Sequence, residues 1–296
     1  MRTTHQGSRY NQRLVRVNKT CSRHGLKEKQ LRPDTTFAID LTKEQITSYH
    51  DNGFLSIERI TTDEEIEWLK GIYDQLFNER AGEDKGLYYD LAAPRGHDGR
   101  DVLPQVLGPD LKMPELRESN YYQNALKLSR QLLGDDEKVS AGGHMIFKPA
   151  QYGAETPWHQ DEAYWNQDVY LNSVSVWMPL DIATVESGCM QFIPGSHKKD
   201  LRWHRHIDND PLIHALMTDD VDPSQAVACP LAPGGATFHS YRTLHHTAPN
   251  TTDNPRRAYI LVCSGPEKKR DKPAPRPWTD DERAAMDKAG YDVKLF

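Results

Sequence analysis

The alternation of polar and apolar positions divides the chain into a helical first part and a strand-rich second part. Residues 62–65 are predicted to open a helix, and apolar side chains follow at helical spacing through residue 76. Thr42 and Gln45 form a capping-box pattern, which predicts an earlier helix that ends near Gly53. The same reasoning predicts, in chain order, a strand over 54–57, a helix over 117–133 and a last helix near 279–288.

Strand patterns dominate from about residue 139 onward. Residues 174–178 alternate between two faces, and residues 256–264 form an apolar run that is typical of a buried strand. Residues 191–194 and 234–238 add two strands next to turn-forming glycines. Short strands that follow a group of helices predict a mainly β domain with flanking α-helices. We expect a double-stranded β-helix, which is a cupin-like jelly roll, with helices on its N-terminal side.

Two polar stretches interrupt this pattern. Residues 80–112 are rich in Gly, Asp, Pro and Arg, which predicts a long loop of the kind that serves as a lid. Residues 200–224 are polar and His-rich and are predicted to form an insertion over the mouth of the barrel. We expect one enzyme domain over 36–296, with its core at about 40–265 and a C-terminal extension over 266–296.

Charge is unevenly distributed along the chain. Residues 1–32 carry nine Lys or Arg against the single acid Glu28, whereas the whole 296-residue chain has a net charge of −6. Residues 1–35 are therefore expected to be a basic, disordered tail, with a targeting segment or a nucleic-acid arm as the alternatives. Residues 33–296 carry −14 in net charge. An acidic body argues against a nucleic-acid partner, because such enzymes concentrate positive charge on the body.

Composition also bears on the cellular location. No apolar run approaches the roughly 18 residues of a membrane span, and the N-terminus lacks the apolar segment of a signal peptide. The four cysteines are scattered without zinc-type spacing, which favours a reducing compartment and free thiols. We therefore expect a cytoplasmic enzyme with a small-molecule substrate and no membrane partner, and the oligomeric state is left open. The cysteines are Cys21, Cys189, Cys229 and Cys263.

The segment from Trp158 to Glu162 carries the strongest chemical signal. On an extended strand His159 and Asp161 project from the same face, because side chains alternate. A distant histidine, such as His245, can join them if the sheet folds back. Two imidazoles and one carboxylate with open positions are the ligand set of non-haem Fe(II) oxygenases. The open positions matter because O₂ and a co-substrate must both reach the iron.

Arg256 adds a second element to this site. It lies eleven residues after His245, at the start of the strand predicted over 256–264. A planar guanidinium holds a carboxylate through two parallel hydrogen bonds, which a lysine does not. A metal triad together with a buried carboxylate anchor is what a 2-oxoglutarate site requires.

With these motifs the chain resembles the phytanoyl-CoA dioxygenase family over roughly residues 40–265. The resemblance implies Fe(II), 2-oxoglutarate and O₂ as cofactors, and hydroxylation of a small-molecule C–H bond with formation of succinate and CO₂. It implies His159, Asp161 and His245 as iron ligands, with no catalytic residue beyond them. It also implies that Arg256 holds the distal carboxylate of 2-oxoglutarate, and that Trp177 and Thr247 line the same pocket. The motifs are Trp158–Asp161, Ser175–Asp181, Ser187–His197, Leu244–Asn250 and Arg256.

The register of the second histidine is ambiguous from the residues alone. His245 and His246 are adjacent, and neighbours on a strand face opposite sides, so only one can point at the metal. The family pattern of His followed five residues later by Asn selects His245, and the step to Arg256 agrees. A ligand at His246 would shift the carboxylate anchor to Arg257. The unused pair is expected to be solvated.

The substrate side of the site is less specified. Tyr164, Trp165 and Arg242 are the residues that we expect to contact the substrate. Two other classes of function stay open at this point. A catalytic zinc of a hydrolase also accepts a His/Asp/His set with an open position, and some jelly-roll proteins are non-enzymatic binders. Arg256 argues against the hydrolase, which has no specific need for it.

The histidines of the polar insertion allow a second metal cluster. His204, His206 and His214 lie close together in the sequence. A solvated loop is the favoured interpretation of this segment. His197, in the turn that follows Pro194, is expected to be structural.

Overall fold

The computed structural model describes residues 31–134 and 138–291, which contain five α-helices and fifteen strands. Most of the predicted basic tail lies outside the described residues. In chain order the elements are α1 (Lys43–Asn52), β1 (Phe54–Ile57), α2 (Asp63–Asn78), β2 (Tyr88–Asp90), β3 (Pro104–Leu107), α3 (Pro109–Lys112), α4 (Asn120–Leu133), β4 (Ser140–Lys148), β5 (Thr156–His159), β6 (Val169–Tyr170), β7 (Ser173–Pro179), β8 (Met190–Phe192), β9 (Arg205–His206), β10 (Leu216–Met217), β11 (Val227–Cys229), β12 (Ala236–Ser240), β13 (His245–Thr247), β14 (Arg256–Ser264), β15 (Lys268–Lys269) and α5 (Pro277–Ala289).

The larger sheet has seven strands in the order β1-β12-β7-β14-β4-β3-β2, and all neighbours are antiparallel. The central strand β14 alternates between two buried faces. Ala258 and Ile260 pack with Trp177 on one face, whereas Tyr259 and Leu261 pack in the helix-covered core on the other. Burial of both faces explains why this strand is an almost continuous apolar run in the sequence.

Helices α2 and α4 contribute to the core on the outer face of the larger sheet. Trp68 of α2 and Tyr121 of α4 are almost fully buried in the same core as Tyr259. The Tyr121 hydroxyl lies 2.8 Å from the Tyr259 carbonyl oxygen, which ties α4 to β14. Helix α2 is capped by Thr62, whose side chain accepts the Glu65 backbone N–H. The capping box predicted for α1 is also present.

The smaller sheet has four strands in the order β11-β8-β13-β5. Strand β13 pairs with β5 on one side and with β8 on the other, so that His245 stands opposite His159 and opposite Phe192. Apolar side chains from both sheets form one cluster, including Phe192, Trp177 and Ile260. Two antiparallel sheets around such an interior confirm the predicted double-stranded β-helix.

The loop predicted over 80–112 is wrong in part. The segment contains β2, β3 and the short helix α3, and β3 extends the larger sheet by pairing with β4. Gly and Pro are abundant here and obscure the pattern of two short strands. One of them begins with Pro104, and the first residue of a strand tolerates proline. Tyr88, Tyr89 and Val106 of this hairpin are buried. The region is therefore part of the sheet as well as part of the surface.

The histidines of the insertion are also placed differently from the prediction. His204 and His206 are buried, and their ring nitrogens lie within hydrogen-bond distance of backbone carbonyls. They are therefore structural and do not belong to a solvated loop. Among the described residues, no helix combines the length and the apolar character needed to cross a membrane.

Candidate active site

Three side chains converge between the two sheets. His159 ends β5, His245 begins β13, and Asp161 follows β5 in a short 3₁₀ turn. The Asp161 Oδ1 atom lies 3.6 Å from His159 Nε2 and 3.4 Å from His245 Nε2. The prediction that His159 and Asp161 share one strand is wrong, because the strand ends at His159. The turn brings the carboxylate back toward the rings, so the cluster forms nonetheless.

Hydrogen bonds orient both imidazole rings. His159 Nδ1 lies 2.7 Å from the Pro157 carbonyl oxygen, and His245 Nδ1 lies 2.9 Å from the Thr243 carbonyl oxygen. A ring nitrogen at this distance from a carbonyl carries the proton and donates it, which leaves the Nε2 lone pair free. Burial, followed by the neighbouring His245, lowers the pKa of His159 and favours its neutral form. Neutral imidazoles with free Nε2 atoms are competent metal ligands.

The second oxygen of Asp161 is held by two residues that the sequence reasoning missed. Asp161 Oδ2 accepts a hydrogen bond from the Ser175 hydroxyl at 2.5 Å and lies 3.4 Å from His239 Nε2. Burial alone would raise the pKa of Asp161, but the imidazoles of His245, His159 and His239 lower it well below its usual value. The carboxylate is therefore ionised, with Oδ1 facing the two histidines and Oδ2 engaged elsewhere.

Gln160 fixes the backbone between His159 and Asp161. Its backbone N–H donates to His204 Nε2 at 3.2 Å, and its side-chain amide donates to the Arg242 carbonyl at 2.7 Å. Its amide oxygen accepts the backbone N–H of Arg202 at 2.8 Å. Burial lowers the pKa of His204 to about 4, so its ring is neutral and can accept a hydrogen bond. Gln160 thus joins the segment that carries His159 and Asp161 to the insertion over 200–224 and to the turn before β13.

A cavity of about 550 Å³, including its opening to solvent, contains the ligand cluster. Both sheets contribute to its wall, and Trp177 and Thr247 are among the lining residues. The cavity is bordered by His144, Ile146, Thr156, His159, Asp161, Ser175, Trp177, Met190, His239, His245, His246, Thr247, Arg256, Ile260 and Val262.

Arg256 lines this cavity with an unpaired guanidinium group. The side chain is 1% exposed, and its Nε and Nη1 atoms have no hydrogen-bond partner among the described residues. Its guanidinium carbon lies 5.3 Å from the centre of the Trp177 ring. Burial lowers the pKa of Arg256 to about 10, so the group is still a cation at neutral pH. A buried cation without a partner is costly, and a bound carboxylate would supply the missing partner.

The two adjacent histidines make different contacts. His246 stacks on Trp158 with a centroid distance of 5.1 Å. Arg257 forms ion pairs with Asp181 at 2.7 Å and with Asp74 at 3.0 Å. The expectation that this pair is solvated is therefore wrong. The side chains of His246 and Arg257 already have protein partners. His245 instead faces the Asp161 carboxylate, and Arg256 has no ion-pair partner among the described residues.

The three residues expected to contact the substrate lie near the cluster but do not border the 550 Å³ cavity. The Tyr164 ring stands edge-on to His159 at a centroid distance of 5.8 Å. Trp165 packs on Tyr241 with ring centroids 4.8 Å apart. Arg242 lies in the turn before β13 and forms an ion pair with Glu162. Their contact with a substrate stays a prediction.

Glu162, which directly follows Asp161, is the ion-pair partner of Arg242 and of two further arginines. Its buried carboxylate lies 2.7 Å from Arg242, 3.1 Å from Arg270 and 3.3 Å from Arg276. Arg270 and Arg276 belong to the C-terminal extension. The extension is thereby fastened to the residue that follows Asp161. Nothing in the local sequence shows this, because Arg270 and Arg276 are more than a hundred residues away.

Glu162→Gln is expected to destabilise the protein by about 3–5 kcal/mol, because it leaves the fully buried Arg276 without a counter-charge. Chemical denaturation of the full chain measures this loss. Glu67→Gln is the matched control, since Glu67 forms only an exposed pair with Lys70 and should change the stability little. Equal stabilities of the two variants would contradict the structural role of Glu162.

A second group of possible metal ligands consists of Asp90, His97 and Asp101. The Asp90 oxygens already accept three backbone N–H groups, from residues 92, 102 and 103. Asp101 is paired with Arg80 at 2.7 Å and accepts the Tyr88 hydroxyl at 2.9 Å. These acids are therefore engaged in holding the loop, and the group is not a convincing metal centre.

Comparison with known proteins gives the site its context. The family model described as phytanoyl-CoA dioxygenase (PhyH) matches residues 49–258, which is more than half of the chain. The chain belongs to the phytanoyl-CoA dioxygenase family. Its match to the family spans the ligand cluster and Arg256. The resemblance inferred from the sequence motifs is thereby confirmed.

Three relatives illustrate the breadth of the family. A phytanoyl-CoA dioxygenase domain-containing protein 1 homolog of Dictyostelium discoideum is 26% identical, over 75% of this chain and 91% of its own length. A probable alpha-ketoglutarate-dependent hypophosphite dioxygenase of Stutzerimonas stutzeri is 26% identical, over 74% of this chain and 77% of its own. The crystal structure of EvdO2 from Micromonospora carbonacea var. aurantiaca is 43% identical, covers 82% of this chain and 99% of its own, and superposes with a TM-score of 0.73.

Family membership and the His/Asp/His cluster together define the class of enzyme. The protein is an Fe(II)- and 2-oxoglutarate-dependent dioxygenase, and its cofactors are Fe(II), 2-oxoglutarate and O₂. Enzymes of this family act on small molecules. The zinc hydrolase and the non-enzymatic binder, which the residues alone left open, are not supported by this membership.

Proposed function

We propose that this enzyme hydroxylates a C–H bond of a small-molecule substrate, with His159, Asp161 and His245 as the Fe(II) ligands. Arg256 is the proposed anchor for the distal carboxylate of 2-oxoglutarate. The observation that carries the proposal is the unpaired Arg256 guanidinium in the same cavity as the ligand cluster. A crystal structure of EvdO2 in complex with 2-oxoglutarate, 39% identical to this chain, supports the assignment of the co-substrate.

The donor set fits the iron. Two neutral imidazole nitrogens and one carboxylate oxygen suit Fe(II), and they leave positions open for other ligands. The chemistry that bound iron would supply, together with 2-oxoglutarate and O₂, is the oxidation of a C–H bond. Succinate and CO₂ would be the co-products. The carbonyls of Pro157 and Thr243 hold the ring protons away from the metal side.

The remaining residues orient and shield the reaction. Ser175 and His239 engage Asp161 Oδ2, which favours ligation through Oδ1 alone. Arg256 would hold one end of the co-substrate and so fix its direction in the cavity. Trp177, Met190 and Ile260 give the lining an apolar part that limits access of water. We also propose that Trp177 and Thr247 contact the co-substrate. Both residues line the cavity, and the Thr247 hydroxyl is buried without a partner among the described residues.

The test is an anaerobic titration of the full chain with Fe(II) and 2-oxoglutarate. We expect a weak visible charge-transfer band that requires both components. Addition of O₂ with a substrate should then form succinate in step with a product that carries one oxygen from ¹⁸O₂. A zinc hydrolase or a simple binder would give neither signal. Absence of the band in iron-loaded protein would reject the proposal.

The remaining expectations about the protein's surroundings rest on composition. A cytoplasmic location, and the absence of nucleic-acid and membrane partners, stay predictions from the acidic body and the scattered cysteines. Of these cysteines, Cys189, Cys229 and Cys263 are buried and free, which agrees with the predicted thiols, whereas Cys21 lies outside the described residues. The domain boundaries at 35 and 265 also stay predictions.

A further inference from the structure

A second, larger cavity lies beside the one that contains the ligand cluster. Its volume is about 1920 Å³ including its open mouth, and it is formed by the 80–101 region together with His214 and the end of α5. Tyr88, Tyr89 and Tyr291 give it an aromatic lining. Nothing in the proposed chemistry uses this space, although it is large enough for a small molecule.

Packed aromatic side chains connect the lining of one cavity to the lining of the other. Rings form a continuous row from the metal cluster outward, with centroid distances of 5.8 Å from His159 to Tyr164 and 5.2 Å from Tyr164 to His214. His214 in turn lies 5.5 Å from Tyr89. On the sheet, Leu107 of the larger cavity is the strand partner of His144. Since His144 lines the metal cavity, the two cavities are neighbours on the same sheet.

Most charges in the larger cavity are already neutralised. Arg80 pairs with Glu83 at 2.8 Å and with Asp101 at 2.7 Å. The Asp90 carboxylate is occupied by backbone N–H groups. Asp84 and Lys85 are exposed at the rim and carry opposite charges.

Arg95 differs from these groups. Its guanidinium carbon lies 3.1 Å from the centre of the Tyr89 ring, and the side chain is half-buried. Its Nε atom is buried without a hydrogen-bond partner, and the described residues offer it no ion pair. Stacking on a ring holds the guanidinium plane and leaves its edge, which carries the N–H donors, available. The edge of a planar guanidinium binds a carboxylate or a phosphate through two parallel hydrogen bonds.

We infer that the larger cavity binds the part of the substrate remote from the reacting carbon, and that Arg95 pairs there with an oxyanion of the substrate, a carboxylate or a phosphate. This inference rests on the proposed function, because it extends the substrate away from the same metal cluster. The substrate is then an anionic small molecule with an apolar or aromatic part against the tyrosines. The acidic body of the protein does not oppose this, because Arg95 forms no direct ion pair among the described residues. The buried Glu282 carboxylate, which interacts with Arg95 electrostatically, is already held by His214 at 2.7 Å.

The experiment measures binding directly and does not require the natural substrate. The full chain is loaded anaerobically with Fe(II) and saturating 2-oxoglutarate, so that Arg256 is not free to bind the probe. Phenyl phosphate and benzoate are the anionic probes, and benzyl alcohol is the neutral probe with the same ring. Isothermal titration calorimetry gives the dissociation constants. We expect at least one anionic probe to bind about tenfold or more tightly than benzyl alcohol, on the scale of one charged hydrogen-bonded pair.

Two variants separate Arg95 from a general charge effect. Arg95→Met should remove the preference for the anion, whereas Arg100→Met should keep it. Arg100 is a matched control because it also stacks on a tyrosine, Tyr152, at 3.5 Å but does not line the cavity. If Arg95→Met does not fold, Arg95→Lys replaces it, and this variant should weaken anion binding while it retains the charge.

Three results would overturn the inference: no binding of either anionic probe at millimolar concentration, no preference for the anions, or equal preference in Arg95→Met and the wild type. The charge-transfer band recorded in the same samples tests the proposed function separately. A normal band with no Arg95-dependent binding rejects only the anion site. Arg95-dependent binding without the band rejects only the proposed function.

Discussion

Asp161→Ala is expected to abolish turnover and most of the iron binding. The variant removes the one carboxylate among the three proposed ligands and leaves two imidazoles. The loss of iron affinity should exceed the roughly 10–100-fold that removal of an outer hydrogen-bond partner costs. Iron content after anaerobic dialysis and succinate formation with substrate are the two measurements. Near-normal turnover in this variant would remove the basis for the triad.

The adjacent histidines provide the control for this prediction. His245→Ala should lose iron and activity, because His245 Nε2 lies 3.4 Å from Asp161 Oδ1. His246→Ala should keep both, because His246 packs on Trp158. Each variant loses one imidazole at neighbouring positions of β13, so a general effect of the substitution on the strand is matched. Inactive His246→Ala with active His245→Ala would shift the assignment by one residue.

The ligand cluster could be predicted because short segments of the sequence carry the residue types that its chemistry needs. His159 and Asp161 are two residues apart, and Arg256 begins a strand whose apolar run is visible in the sequence. The capping box of α1 is a local signal as well, and the helix begins where it indicates. Short-range patterns of this kind fix element type and the identity of chemically distinctive residues.

The surroundings of Asp161 could not be predicted because they depend on strand register. Ser175 and His239 come from β7 and β12, which the sheet brings together as direct partners. No spacing in the sequence reveals that these two side chains meet one carboxylate oxygen. The same holds for Glu162, whose partners Arg270 and Arg276 come from the C-terminal extension. Long-range pairing of polar groups leaves no periodic signal.

The short strands of the 80–112 segment were missed for a different reason. β2 and β3 have three and four residues, too few for a period of two to stand out among glycines and prolines. Their position next to β4 is nevertheless important, because Leu107 lies beside His144, where the two cavities are neighbours on the same sheet. The region predicted as a lid thus contributes to the architecture of the proposed substrate site.

Arg256→Lys is expected to raise the KM for 2-oxoglutarate without removing the iron. A lysine keeps the charge but has no planar fork for two parallel hydrogen bonds, so binding should weaken by about 1–3 kcal/mol, on the scale of hydrogen bonds to charged groups. Iron content is unaffected, since Arg256 is not among the proposed ligands. The measurements are the KM for 2-oxoglutarate and the intensity of the charge-transfer band as the co-substrate is titrated anaerobically.

The pH dependence of this variant sharpens the test. Burial lowers the pKa of Arg256 to about 10, and the same site should lower the pKa of a lysine below its ordinary value of about 10.4. A cationic group with a lowered pKa loses its charge as the pH rises, so the variant should bind 2-oxoglutarate progressively less well from pH 7 to pH 9. The wild-type guanidinium stays charged over this range. Arg257→Lys is the matched control and should leave the KM unchanged at every pH, because Arg257 is already paired with Asp181 and Asp74. A KM for 2-oxoglutarate that is unaltered in Arg256→Lys but raised in Arg257→Lys would reassign the anchor to the neighbouring residue.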